Sequence, residues 1–415
     1  MFDVVRKSLT ALGLTVCLIG GLVSAFGQEQ TPAQPLTDAQ RQALRAQHQA
    51  EVQKEYQRHP TLAIGAQAPD FNLPGVDGRK HRLSEYNKYP ILAIIFTCDH
   101  CPTAQLYEGR IKKLVDDYGP KGVGFIAIQP NAVAAASAHE MNYTDIDDSL
   151  DGMMIRAKYR HFNFPYLYDG DTQATAEAYG PKATPHVFIF DKDRKLQFEG
   201  RIDNNQRESL VKIKDTREAL DAMLAGKPVA VATTPVFGCA TKWKDQIEMK
   251  QRETKQFQEL PVNLDMATPE VLKTLRSNTT GKFLMVNFWA TWCGPCVEEF
   301  HDMLTTYLWY RSRNFELVTV SANAPEEKAD VLKFLQGEHS AVRNLLFSSD
   351  DNYAMQAAFD PKWDSGVPYT IVIAPDGRVI YREAGEVHLL ELRRAILANL
   401  PEMGYPGTNA YWASK

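Results

Sequence analysis

A chain of 415 residues exceeds the usual span of one domain, so two are expected. Its 44% hydrophobic content suits a folded core. A formal net charge of −5 leaves no basic excess to displace counterions from phosphates, which argues against nucleic acid as a partner.

At the N-terminus Arg6 and Lys7 precede an apolar segment from Leu9 to Phe26, broken by Gly13, Gly20 and Gly21 and followed by the polar "QEQTPAQP". This is the order of a secretory signal peptide, residues 1–27, with Ala25 and Gly27 as the small residues before the cut. An uncleaved anchor is the alternative. "LTVC" lacks the small residue that precedes a lipidated cysteine, so Cys17 is not read as a lipid site. No other apolar run is long enough to span a bilayer. The mature protein is therefore expected to be exported, periplasmic or cell-envelope, and soluble.

Residues 28–60 hold a polar helix or spacer, opened by Thr37 with Gln40 three residues on. From Ala66, "APDFNLPGVDGRKHRLSEY" has the Gly, Pro and Asp punctuation of short strands and turns. "ILAIIF" reads as a buried strand that delivers the chain to Cys98. A helix follows, with Leu106, Ile111, Leu114 and Val115 near helical spacing and Gly119 at its end. Next come the strand "GVGFIAIQ", a polar insertion, the hairpin "TPHVFIFDKDRKLQFEGRI" and the helix "RESLVKIKDTREALDAMLAG".

The order recurs in "FLMVNFW", a helix after Cys293, "FELVTVSA", "EKADVLKFLQG", "VPYTIVIAPDGRVIYREAG" and a last helix, "VHLLELRRAILANL". Two α/β domains are expected, residues 61–225 and 260–402, each a central mixed sheet flanked by helices. Residues 226–259 lack sustained apolar periodicity and read as a linker with a short ordered piece, and 403–415 as a tail.

Beyond Cys17 there are five cysteines, and four of them fall into two C-x-x-C pairs, Cys98 with Cys101 and Cys293 with Cys296. Two intervening residues at a helix start hold both sulfurs within bonding distance while leaving one exposed, an arrangement better suited to exchange than to stapling. Cys239 is the odd thiol. It reads as a buried or unreactive cysteine, or as a partner for a mixed disulfide between domains or chains.

"FWATWCGPC" together with "GVPYTIVIAPDG" resembles the thioredoxin superfamily, specifically exported TlpA/ResA-type thiol-disulfide oxidoreductases, over roughly Leu260 to Leu400. The half from Thr61 to Leu224 is similar to the redoxin (AhpC/TSA-like) branch, through "APDFNLPGVDG", "FTCDHCPTAQ" and "ATPHVFIFDKD". Two tandem thioredoxin-like folds are implied. The first cysteine of such a pair meets unpaired N–H groups and the helix dipole, which lower its pKa, so Cys98 and Cys293 are expected to attack and Cys101 and Cys296 to resolve. The resemblance further implies that Pro185 and Pro368 are cis, lie against the cysteines and, with Thr184 and Val367, form a platform on which a peptide adds as a strand.

Trp292, beside the sulfur, is expected to serve recognition, whereas Phe288 is expected in the core. Asn287 stands where thioredoxin has a buried Asp, and Glu299 fits the acidic position of the TlpA/ResA type, as a proton carrier or as a solvated helix residue. His100 favours a more oxidising first site and Asp99 opposes it, so the potentials are expected to differ, the first being the more oxidising. Thr97 replaces the tryptophan of the usual motif. The first half also has the longer interval from cysteine to proline, the excess lying in "AVAAASAHEMNYTDIDDSLDGMMIRAKYRHFNFP", a candidate binding surface.

The expected partners are protein thiols and disulfides and an external, membrane-bound thiol reductant, with electrons passing from one pair to the other. No cofactor beyond the redox-active disulfides is expected. A copper site of Cys98, Cys101 and His100 or His186 is a competing reading, although His186 itself reads as a strand residue. Direct peroxide reduction fits poorly. In P-x-x-x-T-x-x-C the Pro and Thr places hold Ile91 and Ile95 for Cys98, and Ile94 and Cys98 for Cys101.

Overall fold

The structure is a computed structural model that describes residues 57–364 and 366–414, with Thr37, Ala39, Gln42, Ala43, Ala46, Gln47, Ala50 and Lys54. The expected signal peptide lies outside these residues, as does Gln40. The chain divides into compact units of residues 1–53 and 54–415. In the first, Ala39, Gln42, Ala43, Ala46, Gln47 and Ala50 are helical and exposed, as a polar helix requires.

The second unit contains two large sheets and two small two-stranded ones. The first is built around β1 (Ile91–Phe96), whose six residues are all buried. An unbroken apolar run of this kind is what a strand covered on both faces needs. It is followed by α1 (Pro102–Tyr118), β2 (Val123–Gln129), α2 (Leu150–Tyr159) and β3 (Tyr166–Tyr168). Then come β4 (Ala183–Thr184), β5 (His186–Phe190), β6 (Leu196–Gly200) and α3 (Asp215–Leu224). The five-stranded sheet runs β3-β2-β1-β5-β6. Its first three strands are parallel, and β5 and β6 are antiparallel additions, with Ile94 of β1 opposite Ile126 on one side and Phe188 on the other.

The second sheet repeats the plan with one more edge strand. β7 (Cys239–Ala240) belongs to the intervening segment, and β8 (Asp265–Ala267) opens the second half. After it come β9 (Phe283–Trp289), α4 (Gly294–Tyr310), β10 (Phe315–Ser321), β11 (Arg343–Phe347), β12 (Tyr369–Ile373), β13 (Val379–Ala384) and α5 (Leu389–Leu397). The six-stranded order is β8-β11-β10-β9-β12-β13. Both central strands, β1 and β9, therefore end at a cysteine pair on the same edge of their sheet. Among the described residues no helix is long and apolar enough to cross a membrane.

Two expectations change. The stretch from Arg207 to Gly226 is not one helix. A single 3-10 turn at Glu208–Leu210 is followed by extended chain, and α3 starts only at Asp215. The Asn204 side-chain oxygen accepts the amides of Lys212 and Ile213 at 2.9 and 3.1 Å, which diverts them from a helical ladder. Residues 226–259 pack against both halves: β7 pairs with β4, Trp243 is buried and stacked on His59 at 3.9 Å, and the buried Phe257 lies against Tyr307. Single large anchors hold this segment, so no periodicity announces it.

The insertion after β2 joins the two halves. Asp145, fully buried, accepts from Arg156 at 2.7 Å and from Arg394 at 2.6 Å. Tyr310 donates to the Thr144 carbonyl at 2.7 Å, and Arg313 to that of Asn142 at 2.8 Å. The C-terminal residues form α6 (Thr408–Ala413), whose Tyr411 hydroxyl donates to Glu108 at 2.8 Å and accepts from Arg156 at 2.5 Å. Removing one member of a buried ionic network strands its partners. Asp145→Ala should therefore cost about 3 kcal/mol or more in urea unfolding of the full chain. A loss below about 1 kcal/mol would show that the network does not hold the halves together.

Candidate active sites

At the second pair, Cys293 is the N-cap of α4 and Gly294 its first residue. Cys293 and Cys296 form a disulfide, and the Cys296 amide donates to Cys293 Sγ at 3.3 Å. Cys293 is 7% exposed and Cys296 1%, so the first sulfur is the one that solvent reaches. The Val367–Pro368 bond is cis, and Cys293 Sγ lies 3.6 Å from the Val367 carbonyl oxygen. Trp292 is 58% exposed beside it, whereas Phe288 and Trp289 are buried. Among the described residues no strand pairs with Val367, which leaves that edge open.

Glu299 sits one helical turn beyond Cys296, on the same face of α4. Its carboxylate accepts from the Val387 amide at 2.8 Å and from Asn287 Nδ2 at 3.1 Å. Asn287 also donates to Thr370 Oγ1 at 2.9 Å. Burial outweighs these two donors and pushes the Glu299 carboxyl up to about 7. Glu299 is thus a buried acid that titrates near neutrality.

The first site is built differently. α1 begins at Pro102, so Cys101 is its N-cap and Cys98 lies a turn upstream in the loop. Cys98 and Cys101 are both buried. Cys98 Sγ and Thr184 Oγ1 are hydrogen-bonded at 3.0 Å, and Cys101 Sγ lies 3.5 Å from the Thr184 carbonyl oxygen. Burial pushes the Cys98 thiol well up. Burial opposes the Cys101 thiolate too, but hydrogen bonds from Cys239 and Cys98 and the nearby His100 bring its pKa well below the usual thiol range. The favoured thiolate here is Cys101, because the helix start follows the second cysteine.

Asp99 is buried with one carboxyl oxygen unpaired, and burial holds it well above the carboxylate range. The anion beside the pair is Asp148. It accepts from the amides of Asp99 and His100 at 2.9 and 3.0 Å, from Asn131 Nδ2 at 2.8 Å, and pairs with His100 Nδ1 at 2.6 Å. Against the upward push of burial, His100 and these donors hold Asp148 down to about 2. His186 is a strand residue: its Nδ1 accepts the Lys182 amide and its Nε2 bonds Glu199 at 2.7 Å.

Thr184–Pro185 is cis, but its platform is taken. β7 pairs antiparallel with β4, Cys239 opposite Thr184, and the Cys239 amide donates to Cys101 Sγ at 3.2 Å. Asp148, the Thr184 hydroxyl and the position of Cys239 escaped sequence reasoning. Pro102 was the available signal, since it fixes the helix start. As for a metal, donor atoms of Cys98, His100 and Asp148 lie within 4.8 Å of one another. His100 and Asp148 already satisfy each other, although His100 Nε2 is buried without a partner.

Gly238 admits the close approach of β7. At its φ of 145°, a Cβ would lie 2.0 Å from the Thr184 carbonyl oxygen. Gly238→Ala should cost about 1–3 kcal/mol and lift β7 from β4. Site-resolved maleimide labelling of the reduced protein should then mark Cys101 faster. An unchanged Cys101 rate would show that β7 does not cover it.

The AhpC/TSA family model matches residues 64–199 and the Redoxin family model residues 251–395. The thiol-disulfide oxidoreductase ResA of Bacillus subtilis (strain 168) is 35% identical over 104 residues, 25% of this chain and 54% of that protein. ResA of Oceanobacillus iheyensis is 35% identical over 75 residues, 18% of this chain and 36% of its own. The chain thus spans about half or less of the length of these relatives. An uncharacterized conserved protein from Geobacillus kaustophilus is 36% identical, with a TM-score of 0.39, 45% of this chain and 94% of its own being covered. For a hypothetical protein from Sinorhizobium meliloti 1021 the values are 31%, 0.39, 44% and 96%.

Proposed function

The chain belongs to the thioredoxin superfamily as a tandem of two redoxin-type domains, the second ResA-like, and on that premise we propose that it is an exported thiol-disulfide oxidoreductase acting on protein thiols and disulfides. One observation carries this reading: a cysteine pair at a helix start, with a buried carboxyl one turn away titrating near 7. In the reduced second site, the Cys296 amide and the helix N-terminus favour the Cys293 thiolate. That thiolate attacks a substrate disulfide and one substrate sulfur leaves. Glu299 takes the proton of Cys296, whose thiolate then attacks Cys293 Sγ and releases the second substrate sulfur. The peptide lies along the open Val367 edge, beside Trp292.

A membrane-bound thiol reductant would return the Cys293–Cys296 disulfide to the dithiol, and electron transfer between the two pairs is the finer part of the reading. A second reading, copper held at Cys98 and Cys101 with His100, is favoured by the unpartnered His100 Nε2. It predicts tight Cu(I) binding by the reduced chain in competition with bicinchoninate, lost in Cys98→Ser.

Cys293→Ser should abolish disulfide reduction by the second site. Glu299→Gln should slow it by roughly 10- to 100-fold and remove an inflection near pH 7 from its pH–rate profile. If the inflection survives in Glu299→Gln, another group carries the proton. Stability gives an independent check. Folding raises the carboxyl from 4.5 to about 7, so the folded form binds a proton that the unfolded chain has lost between these values. Stability therefore falls as pH rises through that window, by up to about 3 kcal/mol, less what residual solvation returns. Glu299→Gln should flatten this dependence and be the more stable protein above pH 7. The Asn287 amide can turn over to accept from the new Gln, so the variant is expected to fold.

A further inference from the structure

The first site contains a third sulfur placed where a substrate would lie. Residues Cys239–Ala240 run antiparallel to Ala183–Thr184, Cys239 being opposite the residue that precedes Pro185. This is the edge that strand addition by a peptide would use. The fit is built rather than incidental: Gly238 allows the approach, and the Cys239 amide donates to Cys101 Sγ at 3.2 Å. Cys98 and Cys101 are 2% and 0% exposed, whereas Cys239 is only partly buried. Cys239 packs against the buried cluster of Cys98, Cys101 and Ala104, its amide bonded to Cys101 Sγ. Of the three cysteines Cys239 is the least buried.

We propose that Cys239 is the third redox-active cysteine of the first site, a tethered pseudo-substrate that exchanges with outside disulfides and passes the disulfide inward to Cys101. The proposal rests on the oxidoreductase reading above. In the first step Cys239 attacks one sulfur of an external disulfide, R–S–S–R′. The R′ sulfur leaves, taking the thiol proton, and a Cys239–S–S–R bond forms. The Cys101 thiolate then attacks Cys239 Sγ. The R sulfur leaves and takes a proton from solvent, and a Cys101–Cys239 disulfide remains. Two electrons have passed from two protein thiols to the external disulfide, which is released as two thiols. Attack of Cys98 on Cys101 Sγ next forms Cys98–Cys101 and returns Cys239 as a thiol, ready for a second encounter. Run backwards, the same steps reduce the buried pair through Cys239.

The test uses the full chain, fully reduced, then exposed to oxidised glutathione, quenched by alkylation and mapped by mass spectrometry. Cys98→Ser, whose hydroxyl can keep the bond to Thr184, should accumulate a Cys101–Cys239 disulfide. Cys239→Ser should form Cys98–Cys101 at least tenfold more slowly than the parent, with an unchanged thermal midpoint. If Cys101 and Cys239 stay alkylatable in Cys98→Ser while Cys293–Cys296 oxidises, the proposal fails and the oxidoreductase reading stands. An undiminished rate in Cys239→Ser overturns it as well. If Cys293–Cys296 does not oxidise either, both readings fall.

Discussion

Pro102 follows the first cysteine pair, whereas Pro295 lies inside the second, and much of the chemistry of each half depends on that offset. A proline suits the first turn of a helix, where its missing amide costs nothing, and it biases the preceding residue toward extended backbone. Cys101 therefore has φ −73° and ψ 119° and stands outside the helix as its cap. In the second half a glycine precedes the proline and tolerates the helical conformation, so the helix begins at Gly294 and the cap is Cys293. The free amides of the first turn thus face the second sulfur in one half and the first sulfur in the other. Similar spacing of cysteines gives opposite polarity.

Each half then surrounds its pair with a different proton environment. At the second site burial leaves Glu299 a carboxyl able to exchange a proton near neutrality. At the first, Asp148 is fixed as an anion by His100 and by three N–H donors, while burial pushes the Asp99 carboxyl well up. The first site therefore has a fixed carboxylate where the second has a titrating acid. The segment that brings Asp148 to His100 also supplies Asp145 to the joint between halves, so the insertion after β2 both shapes the first site and docks the second domain.

The parts of this arrangement that were legible in sequence are local ones. An unbroken apolar run at β1 and mainly apolar runs at β2, β9 and β10 announced central strands, and the cysteine spacing announced their use. Glu299 and Trp292 could be singled out because they lie within a few residues of the motif. What sequence hid were contacts between distant positions. Nothing near Asp148 marks it as the partner of His100, 48 residues away. Nothing near Cys239 marks it as the neighbour of Cys101, 138 residues away. The helix expected over residues 207–226 failed for a related reason, because Asn204 captures amides that local propensity assigned to a ladder.

The two proline platforms bring these threads together. At Val367 the edge is open, an exposed tryptophan stands beside it and a sulfur meets solvent, the conditions under which an extended peptide can add as a strand. At Thr184 the same edge is filled by the chain itself, and both sulfurs of the pair are sealed beneath it. A peptide could reach Cys101 only by displacing β7, and with it the Cys239 amide that donates to the thiolate. Displacement would thus remove part of what makes the site reactive. The second half thus presents an open edge beside its cysteine pair, whereas the first presents one fixed segment of its own chain, Cys239–Ala240.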